Sequence, residues 1–130
     1  MLLRETSEGK YPLNCVRHLA RICAESEQCL DYRALYEDLK KVTGRKITQM
    51  ETIASAAVAS TLNLQIDLII VASHTGKLAK YTAKYRPSVP IFACVPDFLV
   101  FKHLSLIRGV IPFEITNQAV FDKDTMKILI

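Results

Sequence analysis

The sequence predicts an α/β fold, a three-layer αβα arrangement with an open, mainly parallel sheet. Three short apolar runs rich in β-branched residues, at 67–72, 91–95 and 110–115, are typical of strands that are covered on both faces. Segments with a helical spacing of apolar residues separate these runs, and such an alternation gives right-handed parallel βαβ units. Apolar residues make up 50% of the 130 residues and charged residues 23%, which fits one ordinary globular domain.

Helices are also predicted ahead of the first strand. Residues 1–12 are predicted as a loop because they are charged and contain a glycine and a proline as breakers. Residues 13–24 then repeat apolar side chains at the spacing of one helix face, and residues 31–42 form a second such segment. A third helix begins at Thr48 with a capping-box pattern, in which Thr48 and Glu51 would each bind a free backbone N–H of the other. Its many Ala and Ser residues indicate close approach to a neighbouring element.

The remaining elements alternate with the strands. A helix is predicted at 77–85, another at 97–107 with Asp97 as its cap, and a last one at 123–130 with Asp122 as its cap. Pro112 lies inside the third strand, so we expect that strand at a sheet edge or a bulge, because proline has no N–H to donate. Three strands are few for such a sheet, and further strands are therefore expected in a longer parent protein.

Charge and cysteine content exclude several classes of protein. The 17 basic and 13 acidic residues give a net charge of +4, and the basic residues are spread along the chain, whereas a nucleic-acid binder would gather them on one face. The four cysteines contain no CxxC pair and follow no signal peptide, so we expect reduced thiols in a cytoplasmic protein. The apolar runs are much shorter than the ~20 residues of a membrane span. Neither nucleic acid nor a membrane is expected as a partner.

The turn after the first strand is a candidate ligand site. Ligands of open parallel sheets bind beyond the carboxyl ends of the strands, and Ser73-His-Thr-Gly-Lys77 follows the first strand directly. Small hydroxyls, a glycine that admits close backbone approach, a helix N-terminus and a lysine favour an anion such as phosphate. The same pattern also fits an ordinary βα turn with capping hydroxyls. It is not a P-loop, because the first glycine is missing and Leu78 stands where a Ser or Thr is required.

Other residues capable of chemistry form no complete site. His18 and Cys15 have a spacing that could share a metal ion, but no second ligand pair with zinc spacing exists. His103 is expected on the surface of its helix, and Cys94 as a small core residue in a strand. No nucleophile stands in a recognisable pattern with its base.

Five motifs make the sequence similar to the pyruvate kinase family. They are MLLRETSEGKYP at 1–12, YRALYEDL at 32–39, ETIASAAV at 51–58, KYRP at 84–87 and RGVIP at 108–112. They resemble the family's MLSGETAxGxYP, YRxLFEEL, ExIAxxAV, KYRP and RGVxP, in the same order and at the same distances. The resemblance implies that residues 1–30 are the loop and last helix of a (β/α)8 barrel. It implies that residues 31–130 are the C-terminal α/β domain, truncated at its end.

The resemblance also implies a function. The segment would be the allosteric and subunit-contact part of a glycolytic phosphotransferase that converts phosphoenolpyruvate and ADP to pyruvate and ATP. The family's catalytic lysine, magnesium-binding carboxylates and nucleotide-binding residues belong to an earlier part of its chain. We therefore expect no activity and no cofactor in this segment, magnesium and potassium in the parent enzyme, and a homo-oligomer, a tetramer in the family. The alternative is a stand-alone, non-catalytic module of the same fold that binds a phosphorylated metabolite or a partner protein.

The resemblance assigns a sugar-bisphosphate effector to the candidate turn. The family's pattern there is S/T-x-S/T-G-R/T-S/T, and it binds a phosphate of the activator, commonly fructose 1,6-bisphosphate. The six corresponding residues here are Ser73, His74, Thr75, Gly76, Lys77 and Leu78. Lys77 keeps a cation, whereas Leu78 removes one hydroxyl.

A second group of residues would lie near the active site of the parent enzyme. These are Leu3, Arg4, Glu5 and Thr6, within the first motif. Leu3 and Arg4 replace the family's Ser and Gly, so an arginine would stand beside the site of phosphoryl transfer.

Overall fold

The computed structural model describes residues 4–44 and 47–115 and the backbone of 128–129. These residues form two compact units, the first ending at Asp31 and the second beginning at Tyr32. The helices are α1 (Arg4–Ser7), α2 (Pro12–Glu27), α3 (Tyr32–Thr43), α4 (Gln49–Asn63), α5 (Lys77–Lys84) and α6 (Phe98–Leu104). The strands are β1 (Ile69–Ala72), β2 (Ile91–Val95), β3 (Val110–Glu114) and β4 (Ile128–Leu129).

The first unit contains α1 and α2. The predicted loop is wrong at Arg4–Ser7, which forms a single helical turn. Arg4 Nε donates to Glu8 Oε2 at 2.6 Å, an i,i+4 pair that favours this turn. Pro12 does not end the loop as a breaker but begins α2, where its missing N–H removes no helical hydrogen bond.

The sheet of the second unit has the strand order β3-β2-β1-β4. Strands β1, β2 and β3 are parallel, with Ile69 opposite Ile91 and Ile91 opposite Val110. The predicted α/β fold with a mainly parallel sheet is therefore confirmed. Strand β3 lies at the edge of the sheet, which also confirms the position expected for a strand containing Pro112.

The last element differs from the prediction. A helix was expected at 123–130, but Ile128–Leu129 is a strand that runs antiparallel to β1, with Leu129 opposite Ile70. The expected cap Asp122 and residues 123–127 lie outside the described residues. An unpaired edge of β1 leaves N–H and C=O groups that a strand satisfies and a helix does not. Pairing with β1 therefore determines the conformation of the short apolar segment Ile128–Leu129.

The core lies against one face of the sheet. Ile69, Val71, Ile91, Ala93 and Val95 alternate along β1 and β2 and are fully buried on that face, whereas the residues between them are half-buried. The same hydrophobic cluster includes buried side chains of α3, α4, α5 and α6. The sheet and the four helices of the second unit therefore share one core.

The beginning of α4 confirms half of the capping-box prediction. Thr48 Oγ1 accepts a hydrogen bond from the N–H of Glu51 at 3.3 Å. The Glu51 carboxylate does not return to Thr48. It accepts from Lys84 Nζ at 2.5 Å and from the Tyr85 hydroxyl at 3.4 Å. The bond to Glu51 raises the pKa of Lys84 above its ordinary value.

This ion pair joins two helices that pack closely. Ala54 and Ala57 of α4 are buried, and α4 packs against α5, which confirms the close approach expected from the small residues. The Glu51 side chain is only 9% exposed, while Lys84 is 41% exposed. The carboxylate is thus the desolvated partner, and Lys84 compensates it from the edge of the core.

Two buried tyrosines extend this packing to α3. The Tyr36 hydroxyl lies 2.9 Å from Ser55 Oγ and 3.2 Å from the Ser55 carbonyl oxygen. Its ring contacts that of Tyr85, with 5.8 Å between the centroids. Helix α3 is therefore fixed to α4 by a buried hydroxyl that has its hydrogen-bond partners.

The turn between β1 and α5 depends on a glycine. Gly76 has φ +71°, and a Cβ added there would lie 2.9 Å from Val100 Cγ1 and 3.3 Å from the Leu104 methyl groups. Its backbone therefore adopts a left-handed conformation directly against α6. From the sequence, a glycine was expected at position 76 so that a phosphate could approach the backbone. In the structure, position 76 requires glycine because of its positive φ and its close packing against α6.

Replacing Lys84 by Met should destabilise the second unit by about 1–2 kcal/mol, because the buried Glu51 carboxylate then loses its cation. Solvent screening at the partly exposed Lys84 keeps the loss below that of a fully buried pair. The raised folded-state pKa of Lys84 means that the stabilisation is present at neutral pH and is lost as pH rises beyond ~10.4 through that pKa. Urea unfolding at pH 7 and pH 11 measures both effects.

The matched control for this variant is Lys41→Met. Lys41 pairs with Asp38 at 3.0 Å on an exposed helix surface, and its replacement should leave the unfolding midpoint unchanged. Equal unfolding midpoints for the Lys84 and Lys41 variants would contradict a structural role of the Glu51–Lys84 pair.

Gly76→Ala should destabilise the chain more than Gly109→Ala. Both glycines have φ above +70°, which costs an alanine about 1–2 kcal/mol. A Cβ at Gly109 meets no atom within 4 Å, whereas one at Gly76 meets Val100, which adds about 1–3 kcal/mol of overpacking. Thermal unfolding of both variants measures the difference. Val100→Ala should recover part of the loss in the Gly76→Ala background, and no recovery would refute the packing explanation.

Candidate functional site

The candidate site lies where β1 ends and α5 begins, at the carboxyl edge of the parallel strands. Ser73 is buried, and its N–H donates to the Cys94 carbonyl oxygen of β2 at 3.0 Å. His74, Thr75 and Lys77 are exposed, and Gly76 is buried between them. Ser73 therefore anchors the turn to the sheet, and its amide is not available to a ligand.

The first turn of α5 presents backbone donors. Gly76 occupies the N-cap position without a side-chain cap, and its carbonyl accepts from the N–H of Lys80 at 3.1 Å. The N–H groups of Lys77, Leu78 and Ala79 precede that bond, so they have no acceptor inside the helix. The helix dipole places partial positive charge at this end, and the exposed Lys77 adds a full charge. Such an arrangement can bind an anion.

Leu78 contributes to the core and not to the surface of the turn. Its side chain is 8% exposed and belongs to the hydrophobic cluster beneath the sheet. The structure therefore divides the six predicted effector residues. His74, Thr75 and Lys77 form the exposed turn around Gly76, whereas the side chains of Ser73 and Leu78 are buried.

The residues expected near the parent's active site belong to the first unit. Leu3 lies outside the described residues. Arg4 is exposed and engaged with Glu8, and the Glu5 carbonyl oxygen accepts from Cys15 Sγ at 3.7 Å. Thr6 Oγ1 is buried and has no hydrogen-bond partner among the described residues.

The described residues bring no further catalytic group together. Within 4–44 and 47–115, no three His, Cys, Asp or Glu side chains come close enough to hold a metal ion. The four cysteines are unpaired, and burial raises the pKa of the Cys94 thiol. None of the helices in the described ranges has both the length and the apolar character needed to cross a membrane.

The structure has a second surface feature that the sequence did not predict. A cavity of about 370 Å³ opens at the other end of α5, and Lys80, Lys84, Arg86 and Arg108 contribute to its walls together with Leu39, Ala83 and Ile107. These residues come from α3, from α5 and the residues after it, and from the turn between α6 and β3. The basic residues of KYRP and RGVIP can be seen in the sequence, but only the fold shows that they lie close together.

Comparison with known proteins identifies a family. The family described as "Pyruvate kinase, alpha/beta domain" matches residues 51–130. The pyruvate kinase of Dictyostelium discoideum is 40% identical over 126 residues, which cover 95% of this chain and 25% of that protein. The pyruvate kinase of Trypanoplasma borreli is 38% identical over 112 residues, covering 86% of this chain and 22% of that protein.

Solved structures agree with the sequence comparison. A crystal structure of Cryptosporidium parvum pyruvate kinase superimposes with a TM-score of 0.87 at 32% identity, covering 97% of this chain and 25% of the other. A second crystal structure from the same organism gives a TM-score of 0.84 at 35% identity, covering 90% and 24%. The chain spans about a quarter of the length of the curated relatives that it matches. By sequence and by fold it belongs to the pyruvate kinase family, and the part that it matches is the C-terminal alpha/beta domain.

Proposed function

We propose that the chain is the allosteric and subunit-contact part of a cytoplasmic pyruvate kinase. The parent enzyme would transfer the phosphoryl group of phosphoenolpyruvate to ADP, with magnesium and potassium bound in its remaining part. The observation that carries the allosteric role is the exposed turn at Thr75–Lys77, beside an N-terminus of α5 that no side chain caps. In a chain of this family, such a turn is suited to the phosphate of a sugar bisphosphate.

The donors for this phosphate come from three neighbouring residues. The N–H groups of Lys77 and Leu78 begin α5, the Thr75 hydroxyl is exposed beside them, and the Lys77 ammonium supplies the charge. Ser73 offers no N–H, because Cys94 accepts it, and Leu78 offers no hydroxyl. Because the donors are few and exposed, we expect weak binding with Kd ~1 mM.

The subunit-contact role is supported by the edge of the sheet. Among the described residues, strand β3 pairs only with β2, and its side chains of Ile111 and Phe113 are 44% and 58% exposed. Exposed apolar side chains on an edge strand are typical of surfaces that another protein covers. We assign them to contact within a homo-oligomer, and the tetramer of the family is the expected assembly.

The segment itself would not catalyse the reaction. Phosphoryl transfer depends on positioning and on neutralising charge with metal ions. The described residues contain no group of three His, Cys, Asp or Glu side chains that could hold a metal ion. Residues Arg4 to Thr6 would adjoin the parent's active site without supplying its metal ligands.

Fructose 1,6-bisphosphate should perturb the amide signals of Thr75, Lys77 and Leu78 more than those of other residues in β1 or α5, because these residues supply the donors to the phosphate. Lys77→Ala should weaken binding, and added salt should do the same, because an exposed charge is screened. An NMR titration of the 130-residue chain measures both effects. Lys41→Ala, which removes a remote surface cation, is the matched control. If the three amide signals do not move with either the bisphosphate or inorganic phosphate, the turn has no effector role.

The purified chain should show no turnover of phosphoenolpyruvate and ADP in an assay coupled to lactate dehydrogenase, even with magnesium and potassium present. The physical reason is that the chain lacks a metal-binding cluster in its described part. Activity that copurifies with the chain would contradict the proposal. The mass of the native protein distinguishes the proposed parent enzyme from the alternative of a stand-alone module. The module would have a mass of 14.6 kDa, whereas the parent enzyme would be several times larger.

A further inference from the structure

We propose that Asp97 makes the effector turn at Thr75–Lys77 selective for ligands with a single phosphate group and with hydroxyl groups at their other end. This selectivity rests on the effector role proposed for the turn, and it concerns which class of sugar phosphate is preferred. The turn follows β1, and Asp97 comes shortly after Val95, where β2 ends. The two strands are neighbours about 5 Å apart, so the turn and Asp97 both lie at the carboxyl edge of the sheet.

The start of α6 packs directly against the turn. A Cβ added at Gly76 would lie 2.9 Å from Val100 Cγ1 and 3.3 Å from the Leu104 methyl groups. Asp97 stands at i, Val100 at i+3 and Leu104 at i+7, and residues with this spacing share one face of a helix. Asp97 therefore begins the face of α6 that meets the turn.

The Asp97 carboxylate is held in place by a hydrogen bond and carries its charge at the surface. Its Oδ1 accepts from the Leu99 N–H at 2.9 Å, as the side chain of the N-cap residue of α6. Asp97 is exposed, and among the described residues no lysine, arginine or histidine forms an ion pair with it. A second phosphate that approached Asp97 would therefore meet a fixed negative charge.

The beginnings of α5 and α6 differ in what caps them. Gly76 has no side-chain acceptor at the start of α5, so the first N–H groups of that helix have no acceptor within it. At the start of α6, the Asp97 carboxylate is already the anion that accepts from the backbone. The edge thus offers donors for one phosphate at α5 and no equivalent place for a second phosphate at α6.

The lysine of α6 does not offset this carboxylate at the turn. Lys102 Nζ lies 4.4 Å from the centroid of the Phe98 ring. Lys102 stands midway in sequence between Val100 and Leu104, which places it about 200° around the helix from the face that meets the turn. Lys102 therefore points away from a ligand bound at the start of α5.

The next strand adds a second carboxylate to the same edge. Glu114 is the last residue of β3, is exposed, and lies opposite Val95 of β2. A ligand that extends from the turn across β2 toward β3 would meet Asp97 first and Glu114 next. Hydroxyl groups can donate hydrogen bonds to these carboxylates, whereas an ionised phosphate only accepts hydrogen bonds and is repelled. A sugar monophosphate fits this sequence of groups better than a sugar bisphosphate.

Fructose 6-phosphate and fructose 1,6-bisphosphate are the probes for the test, because they share the sugar and differ by one phosphate. NMR titrations of the 130-residue chain at constant ionic strength follow the amide signals of Thr75, Lys77 and Leu78 and give both dissociation constants. The monophosphate should bind at least as tightly as the bisphosphate. In Asp97→Asn, the affinity for the bisphosphate should rise about threefold relative to that for the monophosphate, because a like charge is removed.

The asparagine variant separates the charge of Asp97 from its role as a helix cap. Asparagine caps a helix as well as aspartate does, so the unfolding temperature should not change. The matched control is Asp67→Asn, which removes an exposed carboxylate just before β1, at the opposite edge of the sheet. This control should leave the ratio of the two affinities unchanged. Added salt should reduce the effect of Asp97→Asn, because exposed charges are screened.

The outcomes distinguish this selectivity from the effector role itself. An equal affinity ratio in the unmodified chain, Asp97→Asn and Asp67→Asn would overturn the selectivity and leave the effector role intact. Tighter binding of the bisphosphate than of the monophosphate by the unmodified chain would do the same. If neither sugar phosphate moves the three amide signals, the effector role fails, and the selectivity fails with it.

Discussion

The second unit depends on the contact between α4 and α5. Small side chains let the two helices approach, and the Glu51–Lys84 pair then joins the start of α4 to the end of α5. A carboxylate with 9% exposure is tolerated there only because it has a cation and the Tyr85 hydroxyl as partners. Helix α5 is thereby fixed over the sheet. The turn proposed to bind an effector lies at the beginning of this helix.

The proposed effector turn would attract a phosphate mainly through backbone groups. At the first turn of α5, the donors for this proposed contact are backbone N–H groups and the helix dipole, so the contact would depend on the conformation that Gly76 permits. At the last turn, the helix dipole favours a cation, and Lys84 lies there. The proposed effector site therefore depends on the β1–α5 turn, whereas the other end of α5 is held by the Glu51–Lys84 pair.

The sequence predicts what depends on local pattern. The three parallel strands follow from β-branched runs, and the caps at Thr48 and Asp97 follow from side chains that bind N–H groups two or three residues away. Prediction from the sequence fails where a residue far away in the chain determines a contact. The Glu51 carboxylate binds Lys84, 33 residues along the chain, and the Ser73 amide binds Cys94 on another strand. Nothing in the local sequence around Ile128 and Leu129 predicts that they pair with the edge of β1. Likewise, nothing around Arg108 predicts that it lies near Lys80.

Pro112 has a consequence for the edge that β3 forms in the described part of the sheet. Ile115 N–H donates to the Val95 carbonyl oxygen of β2, and amide directions alternate along a strand. The nitrogen of Pro112 therefore points away from β2, toward the open side. This side lacks a donor in the middle of a five-residue strand, so a strand added there could not complete its ladder. Pro112 thus disfavours the addition of another strand to this edge, while Ile111 and Phe113 stay exposed for contacts through side chains.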